Sequence, residues 1–156
     1  MSTNPRIGYD EFAALAPAAR NALTALGATV DASGLDKGLT ELIKLRASQI
    51  NGCAFCIQFH LNLSRKAGVA AQKLDLVAAW REAGVYDARE MAALSWTEAL
   101  TRSPGDGATD AEYAALLAHF SRQEALFLTI AIGTINQWNR IAAALRFAPP
   151  APAKTV

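Results

Sequence analysis

The sequence has little that would steer it toward a charged polymer, a membrane or an oxidising compartment. Its 156 residues hold 15 Lys and Arg against 14 Asp and Glu, spread evenly along the chain, for a net charge of +1. Without a basic stripe there is no footprint for a phosphate backbone, and nucleic acid is not an expected partner. Apolar runs such as ALFLTIAIGTI, Ala125 to Ile135, are too short and too closely flanked by polar residues to span a bilayer. The first residues, MSTNPRIGYDEF, lack a positive segment followed by an apolar run, so no secretory leader is expected. The expectation is a soluble cytoplasmic protein without a membrane partner. Cysteine and histidine are scarce, two of each. In a reducing compartment, two closely spaced cysteines point to catalysis or metal binding rather than to a structural staple.

What the sequence does have is helix-forming material. It is 52% hydrophobic and 19% charged, far from a disordered composition, and long enough for one domain with a sizeable core. Ala and Leu dominate, β-branched runs are few, and no strand is expected. Tyr9 to Leu15 reads as a short helix, and Pro17 opens the next, which runs toward Ala32. Asp36 caps a helix reaching Asn51, in which Leu39, Ile43, Ala47 and Ile50 follow helical spacing. Asn51-Gly52 interrupts it. A new helix runs from Cys53 to Ala67, and a further one from Ala70 to Ala83. Three later starts carry a reciprocal capping signal: Asp87 with Glu90, Thr109 with Glu112, and Ser121 with Glu124. Ser103 to Gly107 reads as a loop, and the helix after Ser121 reaches Arg146. The fold class is therefore all-α, a single-domain bundle of about seven helices over residues 1–147. Residues 148–156 form a Pro-rich tail expected to be mobile. The helices from Leu39 and from Arg122 are apolar around much of their circumference, which predicts burial on more than one side and a homo-oligomer.

Both cysteines and one histidine fall within eight residues, Cys53 to His60. On a helix, Cys53 and Cys56 face one side and are close enough for a disulfide. His60 lies one turn beyond Cys56, the thiol it reaches directly. A helix start after a glycine break offers unpaired N–H groups that favour thiolate, and an imidazole accepts the thiol proton. Four readings compete. One is a redox-active dithiol. Another is a metal site, with His119 or Glu41 as fourth ligand, although three ligands on one continuous helix suit a tetrahedron poorly. Haem attachment needs histidine directly after the second cysteine, where Ile57 stands. The last is a pair of inert buried thiols. Glu41 and Ser48 share one face of the preceding helix. If that helix packs beside the cysteines, Glu41 can support His60; taken alone, it reads as a solvated glutamate near a helix start.

The run ELIKLRASQINGCAFCIQFH resembles the core motif of the AhpD-like alkylhydroperoxidases, within the carboxymuconolactone decarboxylase superfamily. The pattern is a glutamate, eleven residues, CxxC, three residues and a histidine: Glu41, Cys53, Cys56 and His60. WTEALT at Trp96 to Thr101 and INQWNR at Ile135 to Arg140 extend the resemblance. It implies an all-helical fold that assembles as a dimer, trimer or hexamer, and thiol peroxidase chemistry. Cys56 would be the peroxidatic thiol, Cys53 the resolving one, and His60 with Glu41 the proton relay. The substrate would be a hydroperoxide and the reductant an external dihydrolipoyl group or thioredoxin-like protein. No metal or other cofactor is called for. One departure stands out: members with the fullest relay carry a histidine just before the second cysteine, and here that residue is Phe55. Members acting as lactone decarboxylases generally lack the CxxC pair. Outside peroxide reduction, the same cluster would suit a redox-sensing or zinc-binding interaction protein, or a disulfide reductase of another substrate. Trp80 and Trp96 read as packing residues. Trp138 is the best tryptophan to border a pocket, with Asn136 and Arg140 polar neighbours on its helix. His119 reads as a helix-end residue.

Overall fold

The computed structural model describes residues 5–102 and 107–153, and among them all regular structure is helical. The centre of the molecule is the helix that begins after Asp36. The Asp36 side chain accepts the Leu39 N–H at 2.8 Å, relieving one of the donors left open at a helix start. Counting α1 as Tyr9–Leu15 and α2 as Pro17–Asp31, this is α3, Lys37–Ile50. It is buried on nearly every side by α4 (Ala54–Lys66), α7 (Ala88–Arg102) and α9 (Arg122–Leu145). Leu42, Ile43 and Leu45 join Leu94, Leu128 and Ile132 in the main apolar core. The all-round apolar character of α3 is thus satisfied within one chain.

The chain turns from α3 into α4 with no slack. Gly52 takes φ +65°, a left-handed value that a Cβ disfavours. Its N–H bonds to the Gln49 carbonyl at 3.2 Å, and the Cys53 N–H bonds to the Ser48 carbonyl at 3.1 Å. These are the two bonds of a Schellman stop. Cys53 then caps the next helix, its Sγ accepting the Cys56 N–H at 3.3 Å. One residue ends α3 and starts α4.

The three predicted capping pairs are present. Glu90, Glu112 and Glu124 each return a carboxylate to the N–H of the residue that caps them, Asp87, Thr109 and Ser121. α8 spans Asp110–Leu117. The helix expected over Ala70 to Ala83 is instead α5 (Ala71–Leu76), a 3₁₀ turn (Val77–Ala79) and α6 (Trp80–Ala83). Tightening to three residues per turn puts Leu74, Val77 and Trp80 on one line, and all three are buried. Trp80 and Trp96 pack in the core, as expected.

Loop residues 103–106 and tail residues 154–156 lie outside the described residues. Ahead of that end, the Asn62 amide donates to the Ala151 carbonyl at 2.9 Å and accepts the Ala153 N–H at 2.8 Å. At the other terminus, the Arg6 N–H bonds to the Leu145 carbonyl at 2.9 Å. That tie holds Tyr9 and Phe12 against Phe147 at the end of α9. The result is a second, smaller apolar cluster. Cys53, Cys56 and Ile135 belong to it, with Phe55 and Trp138 packed on its edge.

Candidate active site

Packing α3 beside α4 brings together residues that are nineteen apart in sequence. Glu41, with no exposed surface, meets His60 across the helix pair: Oε2 stands 2.6 Å from Nδ1. Of the two readings of Glu41, a solvated glutamate near a helix start and a support for His60, its burial excludes the first, because the neighbouring helix covers it. Its other oxygen is held by Lys44 Nζ at 3.0 Å and Lys37 Nζ at 2.9 Å. Lys37 also reaches Asp31 on α2 at 2.6 Å.

These charges decide the protonation of the pair. Burial alone would push the Glu41 carboxyl up, but the His60 hydrogen bond, the Lys44 charge and the Lys37 hydrogen bond hold it far below the carboxylate range. For His60, burial dominates and lowers its pKa; Glu41 pulls the other way, and the lysines add to the lowering. A buried carboxylate facing a neutral imidazole is the consistent state. The ring then donates Nδ1–H to Glu41 and keeps Nε2 as its acceptor.

Cys53 and Cys56 are joined as a disulfide with Cα atoms 5.3 Å apart. Both are buried, yet they differ in what they face. Cys56 and His60 line a cavity of about 370 Å³ between α2, α3, α4 and α9, and Cys53 does not. The cavity wall is mainly apolar and includes Phe55, Phe59, Ile135 and Trp138. Phe55 stacks between Tyr9 and Phe59 at centroid distances of 5.6 and 5.9 Å. The position of the missing relay histidine is therefore part of an aromatic wall.

Other expected residues fall elsewhere. Ser48 does not face the cavity; its hydroxyl donates to the Lys44 carbonyl and accepts from Asn139 Nδ2 at 3.0 Å. His119 is exposed past α8, which packs on α7 and α9. Among the described residues no group of three or more His, Cys, Asp and Glu is placed to hold a metal ion. Arg140 is exposed.

Asn136 has a place that sequence reasoning left open, and Asn139 was missed. The Asn51 amide donates to Asn136 Oδ1 at 2.8 Å and to Asn139 Oδ1 at 2.9 Å. Asn136 passes the chain on to Thr101 Oγ1 at 3.1 Å. This polar clasp ties the turn before Cys53 to α9. Its trace in the sequence is a pair of asparagines three apart that both fall on the buried side of α9.

The chain as a whole is similar to known proteins. Residues 11–99 match the model of the Carboxymuconolactone decarboxylase family. The chain is 34% identical over 140 residues to the uncharacterized protein YdfG of Bacillus subtilis, covering 90% of this chain and 93% of that one. A crystal structure from Agrobacterium tumefaciens superposes with a TM-score of 0.88 at 44% identity, covering 95% of this chain and 99% of the other. That protein is described as of unknown function and as a candidate antioxidant-defence protein AhpD. The debrominase Bmp8, solved in complex with 2,3,4-tribromopyrrole, shares the fold at 21% identity and TM-score 0.78, over 86% of this chain and 72% of that one.

Proposed function

Given that the chain belongs to the carboxymuconolactone decarboxylase family, we propose that it is an AhpD-like thiol peroxidase reducing organic hydroperoxides. The observation that carries this reading is the cavity that Cys56 and His60 share, with Glu41 buried behind the imidazole. A shared fold hosts several chemistries, as the debrominase shows, so the site and not the fold supports this activity.

The cycle starts from the dithiol. His60, oriented by Glu41, takes the Cys56 proton at Nε2, and the start of α4 stabilises the thiolate. The thiolate attacks the terminal oxygen of ROOH. The O–O bond breaks, and the leaving alkoxide takes the proton from His60 and departs as ROH. Cys56 is now a sulfenic acid. The Cys53 thiol displaces its hydroxyl as water and closes the disulfide. The sum is ROOH plus two thiols giving ROH, water and one disulfide. An external dithiol, a dihydrolipoyl group or a thioredoxin-like protein, returns the pair to the reduced state by exchange. Cys56 is the attacking sulfur because it faces the cavity, and Cys53, which does not, resolves.

The test uses reduced protein, one equivalent of cumene hydroperoxide, alkylation of remaining thiols and mass analysis of the peptide spanning Cys53 and Cys56. Loss of both alkylation sites supports the reading, and Cys56→Ser should abolish peroxide consumption. With Cys53→Ser, a sulfenic acid should persist on Cys56. Two fully alkylated cysteines after prolonged exposure would sink peroxide reduction.

A further inference from the structure

The cavity that contains Cys56 also holds an unpaired cation. Three basic side chains line it: Lys37, Lys44 and Arg20. The lysines are committed, Lys44 to Glu41 and Lys37 to both Glu41 and Asp31. Arg20, from α2, is not. Among the described residues its side chain makes one hydrogen bond, from Nη1 to Asn21 Oδ1 at 3.3 Å, and no ion pair. Its Nε is buried and has no partner.

A guanidinium N–H withdrawn from water and left unbonded costs free energy that a ligand acceptor would recover. The wall that Arg20 shares is apolar at Leu23, Phe55, Phe59 and Trp138, and its two carboxylates, Asp31 and Glu41, are already neutralised by the lysines. One uncommitted cation, an apolar stretch of wall and a cysteine together describe a ligand with three parts. They are an anionic head, a hydrocarbon body and a reducible group.

We propose that Arg20 is a specificity residue, and that the preferred substrate is an organic hydroperoxide carrying a carboxylate, which Arg20 engages while the hydroperoxide meets Cys56. The planar fork of Arg20 matches a carboxylate in two-point contact, with Nε as one of the donors. The chemistry is that of the peroxidase cycle above and rests on that reading. The carboxylate is a spectator that neither gains nor loses electrons. A neutral hydroperoxide satisfies the sulfur and the wall but leaves Arg20 as it stands here.

The experiment compares cumene hydroperoxide bearing a para-carboxylate with its methyl ester, in wild type, Arg20→Gln and Arg20→Lys. The expected result is an acid-over-ester preference in KM of about tenfold or more for wild type, the scale of a hydrogen bond to a charged group. Arg20→Gln should erase it and Arg20→Lys should restore part of it, with the assembly state in sedimentation unchanged. Equal KM values for acid and ester in wild type would overturn the inference, as would a preference that survives Arg20→Gln. Calorimetry with the corresponding carboxylate-bearing alcohol, which cannot oxidise a thiol, separates the two claims. If that alcohol binds wild type more tightly than its ester while neither peroxide is consumed, the carboxylate site stands and the peroxidase reading falls. If cumene hydroperoxide is reduced but acid and ester alcohols bind alike, the reverse holds.

Discussion

At the scale of single residues, the site turns on keeping one imidazole neutral inside the protein. Burial withdraws His60 from water, which disfavours its charged form, and the two lysines that hold Glu41 disfavour it further. The sign follows: a base whose pKa lies below its usual value stays available as pH falls and is lost only at more acid pH. Disulfide formation after one equivalent of peroxide should therefore hold its dependence on His60 constant down to about pH 6.5 and fall on an acid limb below that. Stopped-flow rates between about pH 5 and 8 read it directly, and a limb centred at or above 6.5 would contradict the assignment. His60→Ala should slow the single turnover by about a hundredfold or more, the usual reach of a positioned base. Glu41→Gln should slow it as well, since the carboxylate raises the basicity of the ring and its loss leaves Lys44 without its anion.

At the scale of elements, two polar clusters hold apolar helices in register. The first ties α3, α6 and α7. Glu98 is buried and accepts from Arg46 at 2.8 Å, Trp80 at 3.1 Å and Arg102 at 3.0 Å, and it also pairs with Arg81. Burial raises its pKa, yet the Arg81, Arg46 and Trp80 hydrogen bonds prevail and bring it down to about 2 from 4.5. A depressed carboxyl stabilises the fold above its unfolded value, and the contribution is lost as pH falls from about 4.5 toward 2. Wild-type Tm should drop steeply over that window. Glu98→Gln should be less stable at neutral pH by about 2–3 kcal/mol, having left Arg46 buried without its anion, and should show a flatter acid dependence. The second cluster is the Asn51–Asn136–Asn139 clasp at the cysteine turn. Asn51→Ala removes a donor shared by two buried carbonyl oxygens and should cost about 1–3 kcal/mol in urea titration. It should also slow closure of the Cys53–Cys56 disulfide, because the turn that presents Cys53 is no longer tied to α9.

At the scale of the whole molecule, the apolar excess that suggested an assembly has to be divided. α3 is covered within its own chain. α9 is buried on the inside and still exposes Leu126, while Leu15, Leu26 and Met91 are exposed on other helices. We expect the protein to assemble as a homo-oligomer, a dimer, trimer or hexamer, through such surface. Sedimentation equilibrium across a concentration range checks this, and a monomer at every concentration would refute it. Among the described residues no helix is long and apolar enough to cross a membrane.

Much of the fold was legible in the residues because the controlling interactions are local. Capping pairs such as Ser121 with Glu124, the glycine stop at Gly52 and the period of apolar residues act over one or two turns. The same reach made the cysteine–histidine cluster readable, since Cys53, Cys56 and His60 share a helix. The 3₁₀ break at Val77 was not legible, because it answers to the core that Leu74 and Trp80 must enter. The rest of the site was decided by tertiary packing. Whether Glu41 is solvated or buried against His60 depends on α4 lying beside α3, and nothing near Glu41 in sequence encodes that. Arg20 comes to the site from a helix remote in the chain, so local spacing carries no sign of it, and Asn139 left only its pairing with Asn136 as a trace. By itself, the sequence determined most of the helices and put two thiols and a histidine on one of them. Only the tertiary structure decided which sulfur faces a cavity and which charges stand around it, because desolvation and ion pairing depend on what surrounds a group in space.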